Sequence, residues 1–234
     1  MAVEAFVGYQ GDGKTYTLAE IGLAAIAEGR QVATNFFLQG ETRSVPEWID
    51  VLRIGLEDGA WLVLLDEMGQ LAPARGWAKF PPAFMLLVTQ TRKLGLDLYY
   101  SCQNLDQVDK YVRDVTSRVT RCKGYFGVPA PCEHDPKRKR PRLIVRRSFG
   151  GQDFGRAKAR SQGTVFRRFD VSVAESFDTY RMIRASRHLL EKQIAELLGD
   201  EGSVEGPGGV HAMTEIRIAA PVPQGRAAKA AKRP

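Results

Sequence analysis

Eight residues near the amino terminus, Gly8-Tyr9-Gln10-Gly11-Asp12-Gly13-Lys14-Thr15, constrain this chain more than any others. They follow directly on the apolar run Val3–Val7 and lead into residues 14–28, where Leu18, Ile21, Ala25 and Ile26 recur at helical spacing and Gly29 supplies a stop. Strand, glycine-rich turn and helix in that order let backbone N–H groups converge at the positive end of the helix, where an anion is favoured. The pattern is Gly-x-x-x-x-Gly-Lys-Thr in the context its mechanism needs. It predicts that Gly8, Gln10, Gly11, Asp12, Gly13, Lys14, Thr15 and Tyr16 hold the phosphates of ATP. Lys14 would neutralise the β and γ phosphates, and the Thr15 hydroxyl would be a ligand of Mg²⁺.

The following segments alternate between strand and helix. Residues 31–37 read as a short strand that reaches Asn35, and residues 41–59 as helix-like around Trp48, Ile49, Leu52 and Leu56. Trp61–Leu65 is a continuous apolar run, as a strand buried on both faces requires. Residues 84–93 read as a helix opened by Pro81 and Pro82, and Leu96–Cys102 as a second buried strand. Residues 109–115 read as a short helix and 118–126 as a further strand. This alternation predicts an α/β fold with a mostly parallel, doubly wound central sheet and helices on both faces, spanning residues 1–128.

The run Leu62-Val63-Leu64-Leu65-Asp66-Glu67 delivers two carboxylates to the carboxyl edge of such a sheet, where ligands of open α/β sheets bind. Asp66 would hold Mg²⁺ through water, and Glu67 would orient and deprotonate the attacking water. The adjacent glutamate points to a motor-type ATPase with its own base. Gln103, at the tip of the next strand, is placed to sense the γ phosphate. An arginine from a neighbouring subunit would complete the transition-state site; Arg113, Arg118 and Arg121 follow the sensor strand, and Arg118 is assigned here.

After Val128 the character changes. From residue 137 to 168, Lys137, Arg138, Lys139, Arg140, Arg142, Arg146, Arg147, Arg156, Lys158, Arg160, Arg167 and Arg168 face Asp153 alone, which concentrates the chain's net charge of +7 in one stretch. Residues 143–145 and 164–169 have strand character around Gly150, Gly151 and Gly155, so residues 129–170 read as a basic hairpin with a mobile tip, able to contact DNA phosphates without reading sequence. Phe149 and Phe154 at that tip either touch DNA or pack beneath the hairpin. Residues 173–198 read as a helix packed on the core within a segment 171–199, and residues 200–234 as a flexible basic tail.

Cys102, Cys122 and Cys132 form no paired spacing, so neither a disulfide framework nor a metal cluster with His134 is expected. The chain as given carries no signal-peptide pattern and no apolar run long enough to span a bilayer, so it is expected to be soluble.

The early phosphate loop, Leu64-Leu65-Asp66-Glu67, and Thr89-Gln90-Thr91-Arg92-Lys93-Leu94-Gly95-Leu96-Asp97 leading to Tyr99-Tyr100-Ser101-Cys102-Gln103 resemble the FtsK/HerA superfamily of P-loop ATPases. Within it, the order and spacing are similar to the zonular occludens toxin (Zot) and filamentous-phage assembly ATPases and to viral genome-packaging ATPases. The resemblance implies a RecA-like core, ATP bound between subunits of a homo-oligomeric ring, a hexamer or pentamer, and DNA moved through its centre. Packaging of double-stranded DNA into a preformed capsid is the reading preferred here. Virion assembly or extrusion at the inner membrane, with a capsid or membrane protein as docking partner, is the alternative.

Overall fold

Apolar runs that do not alternate become the middle of the sheet, because a strand covered on both faces gains by burying every side chain. The computed structural model describes residues 2–45, 48–57, 59–74, 82–91, 93–130, 137 and 139–178. All of these residues belong to one compact unit.

The chain opens with β1 (Val3–Val7) and α1 (Lys14–Ala27), followed by β2 (Gln31–Thr34), β3 (Phe37–Leu38) and β4 (Arg43–Ser44). Next come α2 (Trp48–Gly55), β5 (Trp61–Leu65), α3 (Met68–Leu71), α4 (Pro82–Gln90) and β6 (Leu96–Cys102). A 3₁₀ turn at Leu105–Gln107 precedes α5 (Lys110–Val115) and β7 (Arg118–Tyr125). The described chain ends with β8 (Val128–Pro129), β9 (Lys139–Arg140), β10 (Leu143–Gly150), β11 (Gly163–Arg168), α6 (Val171–Glu175) and β12 (Phe177–Asp178).

The main sheet has the order β11-β10-β7-β1-β6-β5-β2-β4. The strands from β7 to β4 are parallel, and β10 and β11 add an antiparallel edge. Alternate residues of each central strand feed two cores. Val3, Ala5, Val7, Trp61, Val63 and Leu65 pack with Val51 and Ile54 of α2, Leu87 and Val88 of α4 and Val112 of α5. Phe6, Leu62 and Leu64 pack with Leu18 and Ala19 of α1 on the other face. The expected α/β fold with a mostly parallel, doubly covered sheet is therefore observed.

The differences from expectation arise where distant residues decide the local outcome. The strand from Gln31 ends at Thr34 because Asn35 turns inward to bond Asp66. Part of the helix expected over 41–59 is instead β4, whose Arg43 and Ser44 pair with Ala33 and Thr34, and α2 begins only at Trp48. The basic hairpin does not hang from the core: β10 pairs with β7 from Leu143 to Gly150 and so extends the central sheet. Its turn is tied down by Gly151 N–H donating to Ser117 O (2.9 Å) and by Phe154 packing against the core. At the start of the helix expected from residue 173, α6 is a short turn of helix ending at Glu175. The chain then runs into β12, where Phe177 pairs with Leu38 and meets the Phe36 ring edge-on at 6.4 Å. The remainder of that helix, the tail at 200–234, Pro81, Arg92, Pro131, Cys132, His134, Pro136 and Arg138 lie outside the described residues.

Candidate active site

The turn after β1 lies at the carboxyl edge of the parallel strands. Gly8 allows it to pass the neighbouring strand, since a Cβ there would sit 2.7 Å from the Cys122 carbonyl oxygen. Gly13 takes φ +83, a left-handed conformation that strains any other residue, and a Cβ there would also lie 2.6 Å from Ile144 Cδ1 and push that side chain aside. Asp12 fastens the turn from inside: its carboxylate accepts from Tyr9 N–H (2.8 Å) and from Gly124 N–H on β7 (3.0 Å). Asp12→Ala removes both charge-assisted bonds and is expected to cost about 2 kcal/mol. A thermal melt of the ligand-free variant, with its midpoint lower by roughly 4–8 °C, checks this.

Lys14 and Thr15 begin α1 with their side chains at the turn. Lys14 is only 6% exposed, and its ammonium donates to Tyr9 O (3.2 Å). The Thr15 hydroxyl donates to Asp66 Oδ2 at 2.8 Å. Tyr16 points elsewhere: its ring stacks on Phe169 at 4.8 Å, and its hydroxyl accepts from Asp170 N–H (2.9 Å). Only its backbone, in the first turn of α1, faces the loop.

Asp66 and Glu67 leave the end of β5 beside this turn. Besides Thr15, Asp66, 4% exposed, is held by two neighbours: Asn35 donates to its carbonyl (2.9 Å) and accepts from its N–H (2.7 Å), while the Ser101 hydroxyl donates to Oδ1. Glu67 adopts φ 52, a left-handed conformation uncommon for a side chain of this kind, with its N–H on Ser101 Oγ (3.1 Å). Burial, and then the charge of Asp66, push the Glu67 carboxyl above the ordinary glutamate value, against the pull of Lys14. β6 lies between β1 and β5, with Val7 level with Cys102 and Leu65 level with Tyr100. Gln103, the exposed residue after β6, therefore stands at the same edge between the loop and the two carboxylates. Burial raises the Cys102 thiol to about 12, so it stays protonated beneath the site.

The arginines do not converge here. Arg118 starts β7 at the opposite edge and pairs with Glu4 at 3.3 Å. Arg113 pairs with Asp106 (3.2 Å), and Arg121 lies over the Phe154 ring at 5.2 Å. Phe149 and Phe154 pack on each other, with centroids 5.6 Å apart. Asn35 and Ser101 orient Asp66; a strand-end position was the only sequence signal for Asn35, and Ser101 stood within the segment leading to Gln103 with no role of its own.

The site suits an anion with a hard divalent cation: a glycine turn at the start of a 14-residue helix, a buried ammonium, and a hydroxyl–carboxylate pair of oxygen ligands. Among the described residues no cluster of His, Cys, Asp and Glu forms a separate metal site, and no helix is long and apolar enough to cross a membrane.

Residues 38–135 match the family model of zonular occludens toxin (Zot). The N-terminal domain of zonular occludens toxin from Neisseria meningitidis is similar in structure, with a TM-score of 0.51 at 15% identity over 76% of this chain and 98% of that one. The genome packaging NTPase B204 from Sulfolobus turreted icosahedral virus 2, in complex with ATP-gammaS, gives 0.48 at 11% identity over 71% and 97%. No curated protein matches. The chain thus resembles the Zot family and shares its α/β P-loop fold.

Proposed function

We propose that this chain is an ATP-hydrolysing motor that moves viral DNA into a preformed capsid, working as a ring with ATP between subunits. The observation that carries the reading is the single sheet edge on which Lys14, Thr15, Asp66, Glu67 and Gln103 meet, continuous through β7 with the basic β10–β11 hairpin. The loop from Gly8 to Tyr16 takes the phosphates, with Lys14 moving from Tyr9 O to the β and γ oxygens. Thr15 and Asp66 would hold Mg²⁺, which would supply charge neutralisation at the phosphates. Glu67, set on its left-handed turn, orients water and takes its proton, and Gln103 reports the γ phosphate to β6. Arg118, half-exposed beside Glu4 and far from its own loop, is the arginine offered to the neighbouring subunit's nucleotide.

ATP turnover of the full chain, measured with and without double-stranded DNA at rising salt, tests the reading. Stimulation by DNA that fades as salt increases is the expected result. Absence of turnover under either condition rejects it.

The Zot match over residues 38–135 favours a second reading, a virion assembly or extrusion ATPase at the inner membrane, with the basic hairpin against anionic lipid. Turnover stimulated by anionic vesicles and indifferent to DNA would select it.

A further inference from the structure

One face of α1 links the phosphate loop to the basic hairpin. Gly13, Tyr16, Thr17 and Glu20 stand three or four residues apart and so fall on one side of the helix. Gly13 lies against Ile144 of β10, and Thr17 Oγ1 is 3.8 Å from Cys122 Sγ on β7. Tyr16 stacks on Phe169 and accepts from Asp170 N–H, just beyond β11. Glu20 ends the stripe with one carboxylate oxygen 2.5 Å from Arg146 of β10 and the other 3.6 Å from Arg167 of β11. It stands about 9 Å of helix beyond Lys14, clear of the loop itself.

The two strands treat their arginines alike. Arg146 and Arg147 are neighbours on β10, Arg167 and Arg168 neighbours on β11, and successive side chains of a strand point to opposite faces. Arg146 and Arg167 turn to Glu20, which leaves Arg147 and Arg168 exposed on the face away from α1. A shift of α1 that draws on the inner pair therefore moves the backbone that carries the outer pair. The Arg146 side chain is only 10% exposed, too deep to reach DNA. Holding an ion pair there costs desolvation that apolar side chains of the same volume would avoid, so stability alone does not account for it. What the pair adds is a fixed registration of two strands against one point on α1.

We propose that Glu20 couples nucleotide binding to DNA binding: occupation of the phosphate loop shifts α1, and the Glu20 carboxylate passes the shift through Arg146 and Arg167 to Arg147 and Arg168. The inference rests on the reading above, in which ATP takes the loop and DNA the hairpin. Glu20 is a positioning residue, because it contacts neither ligand. Such coupling is reciprocal: the factor by which nucleotide changes DNA affinity is the factor by which DNA changes nucleotide affinity.

The test measures the affinity of the full chain for double-stranded DNA with and without a saturating non-hydrolysable ATP analogue in Mg²⁺, and the converse. In the native protein each ligand is expected to change the affinity of the other by about tenfold. Glu20→Gln should bring that factor to within about twofold of unity, with either ligand alone bound within about threefold of native. Its turnover without DNA should be native, and the stimulation by DNA lost. Should Glu20→Gln fold poorly with Arg146 left buried and unpaired, the double variant Glu20→Gln, Arg146→Met removes both charges together and leaves the net charge as it was. A native coupling factor in either folded variant overturns the inference. So does weakened binding of either ligand alone in the double variant, which would make Glu20 a structural tie only. A native protein that binds both ligands with no effect of one on the other overturns it as well. Failure of the native protein to bind the analogue or DNA instead removes the reading beneath it.

Discussion

Glu67→Gln is expected to lower ATP turnover by roughly 10²- to 10⁴-fold while leaving ATP affinity within about threefold of native, because it removes the proposed base and keeps the shape. Lys14→Ala should do the reverse in emphasis, weakening binding first, since its buried ammonium is the cation nearest the loop. Single-turnover kinetics and equilibrium titration separate the two effects. A third variant isolates the backbone. At φ 52 the native glutamate carries a left-handed cost of about 1 kcal/mol that glycine does not. Glu67→Gly should therefore be as inactive as Glu67→Gln yet melt higher. If Glu67→Gln retained native turnover, the water-activating role would pass to another group, and the strain at Glu67 would lose its functional explanation.

The parts of this site that were legible in the sequence are those made by neighbours in the chain. The loop, its helix and the Asp66-Glu67 pair are contiguous motifs attached to strands whose apolar runs declare burial. The parts that were not legible are made across the sheet. Asn35 reaches Asp66 from the end of β2 and Ser101 reaches it from β6, 31 and 35 residues distant. Charge counted along the chain misled in the same way. Residues 137–168 hold one acid, but Glu20 on α1 lies across from β10 and β11, pairing with Arg146 at 2.5 Å and Arg167 at 3.6 Å. Asp97, read as part of a family signature, accepts from Arg30 and from Ala2 N–H, 2.8 and 2.7 Å away, at the edge remote from the loop. Its place in the motif is met by a tie between strands. The apolar stripe beyond residue 173 gave no sign that Phe177 would be claimed by Leu38 and Phe36, because a strand pairing depends on a partner that helical periodicity does not see.

That partition of charge carries the second large prediction. On the sheet face turned away from α1, Arg121 and Arg147 stand directly opposite each other on β7 and β10, with Lys123 one step along opposite Val145 and Arg168 further along opposite Leu143. Phe166, 67% exposed, lies among them opposite Val145. Like charges placed across a strand pair cost stability, so an anion is the condition under which this face is favourable. Replacing Arg121, Lys123 and Arg147 together with glutamine should weaken double-stranded DNA binding roughly a hundredfold near physiological salt, and lower the slope of log affinity against log salt by about 2.7. Arg167→Gln, whose cation is already engaged by Glu20, should leave that slope almost unchanged. An unchanged salt slope in the triple variant, with a fall on replacing the exposed tip cations Lys158 and Arg160, would return the DNA to the hairpin tip that the linear sequence suggests. It would leave this face to contacts between subunits.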